Sequence, residues 1–333
     1  MKLGIIGTGN IVREFLLQLI QIEGLEVLGI QSTPRSIRTA QEMCSEYQIS
    51  LATSDFEELC ASGIDTVYVA VPNFHHYDYC RKALEKGLNV IVEKPITSNF
   101  REAGELVALA KAKKLFFFEA ITTLYLGNYK KVIEWLPRIG DIKLVQSQFN
   151  QYSSRYDAFQ RGEVLPAFDP QKAGGALMDL NLYNLHYVMG LFGKPDDAVY
   201  YANIERDIDT SGVVVMRYPS FLAVCTAAKD CKGVYGGVIQ GTKGCIKNQY
   251  PANMVGEVIL ELNDGTLERY DDGAAAARMI PEFSEFVKAV ATQDYEYCYE
   301  QLDRSLAVSE VQTSVRRQAG INFPADESTG DGK

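Results

Sequence analysis

The feature that most limits what this chain can become is a rhythm. Between Lys2 and about Glu119, short unbroken apolar runs alternate with stretches of helical periodicity. The runs cover residues 3–6, 27–30, 66–71, 90–92 and 115–118. A strand wetted on one face alternates apolar with polar residues, whereas a strand covered on both faces does not. These runs therefore read as buried parallel strands. Helical spacing fills the gaps. Ile11, Phe15, Leu19 and Ile22 recur three and four residues apart, and the pattern from Tyr77 to Lys86 is closed by Gly87, which accepts the left-handed turn that ends helices. Asp55, with Glu58 three residues on, predicts a capping box on a short helix. Strand and helix in regular turn give βαβ units, right-handed crossovers and an α/β, doubly wound parallel sheet.

After about Thr122 the rhythm changes. A helix over 128–136 stops at Pro137, a strand over 142–151 follows, and a loop-like stretch over 153–172 leads into a helix over 175–189. Strand candidates then arrive with little helix between them, at 199–204, 213–218, 221–227, 234–240 and 258–262. Asn263-Asp264-Gly265 ahead of 266–270 is a hairpin signal. Strands joined by turns predict an α+β domain with a mostly antiparallel, open-faced sheet. Two helices close the chain: Pro281 suits the start of one, and Leu302, Leu306, Val308, Val311 and Val315 stripe the other. The expected division is 1–122, 123–323 and a small, polar, loose tail over 324–333.

Composition excludes several classes of function. The formal net charge is −10, so neither nucleic acid nor an anionic membrane is the expected partner. The small basic cluster of Lys111, Lys113 and Lys114 falls where a helix should end and reads as dipole compensation. Seven cysteines lie scattered without a C-x-x-C pair, which predicts reduced thiols and neither a zinc site nor a disulfide framework. No apolar run approaches the ~20 residues of a membrane span. Gly7 and Gly9 interrupt the first apolar stretch, against a signal peptide. A cytoplasmic protein is expected.

Gly7-Thr8-Gly9-Asn10-Ile11-Val12 follows the first strand and opens the first helix. Glycine at 7 permits a tight turn, and glycine at 9 lets a pyrophosphate approach the backbone and the positive helix end. Val12 stands where the third glycine of the fingerprint would be, so position within a βαβ unit carries the inference of a dinucleotide. At the end of the second strand an NAD site wants a carboxylate for the ribose 2′-hydroxyl. Here Ser32, Thr33 and Arg35 follow Gln31, with Arg38 beyond. Hydroxyls and guanidinium groups suit a 2′-phosphate, so NADP(H) is favoured over NAD(H). The same arginines also read as a solvated helix face.

Two further clusters carry chemistry. Glu93-Lys94-Pro95 ends the run at 90–92, at the strand edge where ligands of such sheets bind. Pro95 keeps Lys94 out of the helical region, and a lysine there can stabilise a developing alkoxide or exchange a proton with it. Alternatively, it is a surface lysine before a turn proline. Further on, Gly174-Gly175 opens a helix on which Asp179, Tyr183 and His186 fall at i, i+4 and i+7, on one face. That trio reads equally as proton-transfer equipment or as a satisfied polar patch. His75 and His76 have no third ligand nearby, so no metal is expected, and no nucleophile elbow supports a hydrolytic triad.

Taken in order, the Gly-x-Gly turn, Val71-Pro72-Asn73-Phe74-His75-His76, Glu93-Lys94-Pro95, Glu119-Ala120 and the Gly174–Tyr183 block resemble the Gfo/Idh/MocA family of glucose–fructose oxidoreductase-like and inositol dehydrogenase-like proteins. The Gly-Gly-x-x-x-Asp-x-x-x-Tyr helix looks most like the dihydrodiol dehydrogenase and glucose–fructose oxidoreductase branches. The resemblance implies a Rossmann domain and hydride transfer between a nicotinamide cofactor and a sugar, polyol or related hydroxy-carbonyl compound. It implies that Lys94 and Tyr183 flank the reacting carbon, with Tyr183 trading the proton and Asp179 fixing substrate or lysine. Pro72, Asn73, His76 and Glu93 would line the cofactor, the Lys94–Pro95 bond would be cis, and the C-terminal sheet would support homodimers or homotetramers. Asn181 replaces a usual glycine and, with His186, is a candidate substrate contact. Tyr183 stands where inositol dehydrogenases carry histidine, which argues against a simple inositol dehydrogenase, and Leu124 stands where arginine is common. Two other functions on this scaffold are glycoside cleavage through transient oxidation with no net redox change, and non-enzymatic sensing of the cofactor.

Overall fold

The computed structural model describes residues 1–19 and 22–327. The chain forms two compact units, Met1–Ala120 with Met279–Leu306, and Ile121–Arg278 with the stretch from Ala307 onward.

The first unit is built on strands β1 (Lys2–Ile6), β2 (Glu26–Gln31), β3 (Leu51–Thr53), β4 (Thr66–Val69), β5 (Asn89–Glu93) and β6 (Phe117–Ala120). All pairings are parallel, in the order β3-β2-β1-β4-β5-β6. That is the doubly wound dinucleotide-binding order, with its switch point between β1 and β4. The crossovers carry helices α1 (Asn10–Leu19), α2 (Ile37–Tyr47), α3 (Phe56–Ala61), α4 (His76–Glu85) and α5 (Phe100–Lys113). Phe15 and Ile22 of the predicted stripe are buried, while the side chain of Leu19 lies outside the described residues. Asp55 caps α3 through the Glu57 amide. Glu58 does not close a capping box: it accepts from the Thr53 hydroxyl. Lys111 and Lys113 lie in the last turn of α5, where dipole compensation would place them.

The second unit carries helices α6 (Gly127–Trp135), α7 (Tyr156–Gln160) and α8 (Leu182–Phe192), and strands β7 (Ile142–Asn150), β8 (Asp197–Glu205), β9 (Ile208–Arg217), β10 (Leu222–Ala228), β11 (Tyr235–Gly241), β12 (Gly244–Asn248), β13 (Val258–Leu262) and β14 (Leu267–Tyr270). Its sheet runs β14-β13-β12-β11-β7-β10-β9-β8, antiparallel throughout except β7 against β10. Opposed positions on one face, Leu260, Ile246, Ile239, Val145, Ala223 and Met216, are all buried. On the other face a row of valines, at 238, 224, 215 and 199, is half-buried, and Tyr201 is 67% exposed. Strand alternation thus gives the sheet one core face and an outer face on which these valines are interspersed with polar residues such as Gln146 and Lys247. Asn263-Asp264-Gly265 makes the turn between β13 and β14.

The C-terminal helices depart from the expected division. Helix α9 (Met279–Thr292) joins the first unit because Phe283 packs on Phe15 at 4.5 Å and Phe286 stacks on Phe118 at 4.4 Å. Helix α10 (Tyr295–Gln318) is divided, its first half grouping with the first unit and its second half with the second. Pro324 does not begin a loose tail either. Pro324–Glu327 forms a short helix, α11, and Asp326 makes a buried bidentate pair with Arg316 at 2.7 and 2.8 Å. The remainder of the expected tail, 328–333, lies outside the described residues.

Candidate functional site

In the first unit, three strand ends enclose a cavity of about 350 Å³ at the switch point. The β1 end supplies Gly7, Thr8 and Gly9, the β2 end supplies Ser32 and Thr33, and the β4 end supplies Pro72. Gly7 adopts a φ of +123°, and a Cβ there would sit 2.2 Å from the Ala70 carbonyl oxygen. Only glycine fits. A Cβ on Gly9 would meet nothing within 4 Å, so that glycine leaves open space beside the first turn of α1. Val12, in place of the third glycine, is fully buried. Turn, open space and helix N-terminus together fit a diphosphate. Sequence reasoning missed Ser36, which lines the same cavity and hydrogen-bonds Thr33 through their hydroxyls at 2.9 Å. Ser36 is the residue just before α2, and its place in the sequence gave no sign of which way its hydroxyl points.

Of the other expected cofactor contacts, Asn10 and Ile11 follow Gly9 directly into the first turn of α1. Asn10, Ile11, Arg35, Asn73 and Glu93 do not line this cavity. Arg38 is on the solvated face of α2, 3.7 Å from Glu42, which is the plainer of its two readings. Glu93 accepts from the buried Tyr68 hydroxyl at 2.5 Å. His76 is fully buried and reaches two carbonyl oxygens, Pro95 through Nδ1 at 2.7 Å and Val71 through Nε2 at 2.9 Å. Burial lowers its pKa, and a neutral imidazole donates from one nitrogen at a time, so the tautomer selects which carbonyl is bonded. With its proton on Nδ1, His76 ties the start of α4 to the Pro95 carbonyl in the loop after β5. The Lys94–Pro95 bond is cis. Glu119, also buried, accepts from the Ile96 amide at 2.8 Å. His76 and Glu119 thus hold both sides of the turn that presents the half-buried Lys94.

In the second unit, the glycines before Asp179 serve packing. A Cβ on Gly174 would lie 2.6 Å from the Pro166 carbonyl, and one on Gly175 would lie 2.1 Å from Asp209 Oδ1. Beyond them, a π-helical turn over Leu177–Asn181 leads into α8, a variant common at functional positions. Asp209 holds its start, accepting from the Leu177 amide at 2.6 Å and the Tyr200 hydroxyl at 2.7 Å. Complete burial pushes the Asp209 carboxyl up to about 6. Asp179, Tyr183 and His186 do not share one environment. Asp179 is one-third exposed and pairs with Lys229 at 2.8 Å; Tyr183 is 9% exposed and His186 2%. Asn181 is fully buried, donates to the Cys225 carbonyl at 3.2 Å and accepts from Asn184 at 2.9 Å. It fastens the turn to the sheet, which takes it out of the candidate substrate contacts. Lys229 and Asp209, some thirty to fifty residues from Asp179, offered no sequence signal.

No helix among the described residues is long and apolar enough to cross a membrane, and no cluster of potential metal ligands occurs among them. Residues 1–120 match the family model described as oxidoreductase family, NAD-binding Rossmann fold, and residues 134–247 match the GFO/IDH/MocA C-terminal domain. The chain is 33% identical over 331 residues to scyllo-inositol 2-dehydrogenase (NADP(+)) IolU of Bacillus subtilis, covering 98% of this chain and 100% of that one. It is 24% identical to mouse trans-1,2-dihydrobenzene-1,2-diol dehydrogenase, over 98% and 99% of the two chains. Its fold superimposes on a 3-ketoreductase from Actinomadura kijaniata, solved with NADP and TDP-benzene, with a TM-score of 0.81, 21% identity and coverage of 95% and 97%.

Proposed function

The chain belongs to the Gfo/Idh/MocA oxidoreductase family, and from that premise we propose that it passes hydride between NADP(H) and a sugar or cyclic polyol. The observation that carries this reading is the cavity at the switch point, where a turn that admits only glycine meets the open space beside Gly9 and a helix N-terminus. Bound there, the dinucleotide supplies or accepts the hydride. The chain's own residues bind, orient and manage the proton. Gly7–Gly9 and the first amides of α1 would hold the diphosphate. Ser32, Thr33 and Ser36, with no carboxylate among them, would take the 2′-phosphate as hydrogen-bond donors, which supports NADP(H) over NAD(H). The scyllo-inositol 2-dehydrogenase among its relatives is named for NADP(+), which supports the same preference and a polyol substrate.

Lys94 and Tyr183 are the proposed acid–base residues. As hydride leaves a carbinol carbon, its hydroxyl proton must depart. A phenol can relay that proton, and an ammonium can lower the cost of the intervening oxyanion. Asp179 is the proposed carboxylate that orients this machinery. His186 is proposed as packing against it and not as a proton carrier, since it is 2% exposed. The half-buried valine face of the C-terminal sheet is the proposed homodimer or homotetramer surface, checked by the mass of the protein in sedimentation.

The experiment is to incubate the protein with NADPH or NADH and a panel of ketoses and inosose-type ketones. Stoichiometric loss of reduced cofactor, faster with NADPH, is the expected result. Cofactor binding without turnover would mark a sensor, and cleavage of a glycoside with no net loss of cofactor would mark the alternative chemistry.

A further inference from the structure

Lys229 follows the last residue of β10 and is 2% exposed. A buried ammonium must find acceptors for its protons or shed its charge. This one has two, the Ala167 carbonyl at 2.9 Å and Asp179 Oδ2 at 2.8 Å, and it lies 4.8 Å from the centre of the Phe168 ring. Its backbone is fixed as well: its amide donates to the Thr210 carbonyl at 2.8 Å, and its carbonyl accepts from the Ser153 amide at 2.9 Å. Lys229 thus holds the 153–172 segment at Ser153 and at Ala167, and through its side chain ties that segment to the turn bearing Asp179.

The pair is asymmetric. The lysine is sealed from solvent, while Asp179 keeps one-third of its side chain exposed. Solvent therefore reaches Asp179 and not the ammonium. For stability alone, a well-packed apolar side chain serves such a place as well as a buried ion pair does. What the ammonium adds is a fixed charge-assisted hydrogen bond on Oδ2, which restricts the carboxylate to one orientation. We propose that Lys229 is a positioning residue for the reaction, holding Asp179 in place four residues before Tyr183 and coupling that carboxylate to the 153–172 segment. The proposal rests on the oxidoreductase reading of the same site.

The test is a double-mutant cycle in the full chain, with Lys229→Met and Asp179→Asn alone and combined. NADP+ is the oxidant, and whichever of myo-inositol, D-glucose or D-glucitol the wild type oxidises fastest is the substrate. If Lys229 acts through Asp179, Lys229→Met lowers kcat about 10- to 100-fold with NADPH affinity unchanged, and loses less than about 2-fold once Asp179 is already Asn. Should Lys229→Met melt below the assay temperature, Lys229→Gln, which keeps a donor toward the Ala167 carbonyl, is read in the same cycle. Equal losses in both backgrounds would overturn the inference, because a lysine that only packs acts independently of Asp179. A wild type that oxidises no polyol sinks the oxidoreductase reading and this inference together; an active wild type with additive losses sinks this inference alone.

Discussion

The two units hold their candidate functional residues by different means. In the first, the turn at Gly7 is imposed by the backbone itself, since a φ of +123° and the Ala70 carbonyl leave no room for a side chain. In the second, the π-helical turn before Tyr183 is held by buried side chains from distant strands, Asp209 on its opening amide and Lys229 on Asp179. A steric turn is marked in the sequence by its glycine and contains no titrating group. Turns held by buried charge are encoded across the fold and respond to protonation.

The largest effect expected of any substitution falls on the two proposed acid–base residues, Lys94 in the first unit and Tyr183 in the second. Lys94→Ala and Tyr183→Phe should each lower turnover by at least about 100-fold while leaving NADPH affinity nearly intact. Equal activity in both variants, measured by steady-state kinetics, would retire their proposed roles and with them the reason to compare the two turns.

A smaller effect is expected in the pH response of the second unit. The Asp209 carboxyl is raised from 3.8 to about 6 by burial. A raised folded-state pKa means that the native state binds the proton more tightly than the unfolded chain does. Its stabilising contribution is then complete below the unfolded value and is lost as pH rises through the folded one. Denaturant titrations between pH 4 and 6 should show wild-type stability carrying a falling component of about 1–3 kcal/mol that Asp209→Asn removes. Identical slopes would mean that the turn is not held by a titrating group.

The smallest effect sharpens the steric half of the contrast. Gly7→Ala should cost more than about 1 kcal/mol of stability, because Ala cannot occupy that φ without strain. Gly9→Ala should leave the melting temperature within error, there being nothing for its Cβ to meet within 4 Å, yet weaken cofactor binding. Calorimetry separates the two glycines, and matching losses of stability would contradict the assignment.

The same contrast explains what was legible in the sequence. Strands β1, β2, β4, β5 and β6 were readable because burial on both faces leaves unbroken apolar runs. Strand β3, three residues long, and β12, which alternates Cys245 and Lys247 with Ile246, were too short or too mixed to stand out. Gly7, Gly9 and Lys94 announced themselves through their immediate neighbours. His76 stood out as a candidate cofactor contact, and nothing local reveals that its ring also meets carbonyl oxygens in two loops. The pairing of Lys229 with Asp179 and the cap by Asp209 depend on strand register, which sequence spacing does not contain. Helix α9 was legible as a helix, yet its membership in the first unit depends on Phe283 and Phe286 packing on Phe15 and Phe118.

The central claim is that this chain moves hydride between cofactor and carbon, and isotope transfer tests it without reference to any single residue. With NADPH carrying deuterium at both nicotinamide C4 positions and a reducible ketone, mass spectrometry should find one deuterium on the new carbinol carbon of the product. Product that forms without deuterium, or label that stays with the cofactor while a glycosidic bond is cut, would contradict the account.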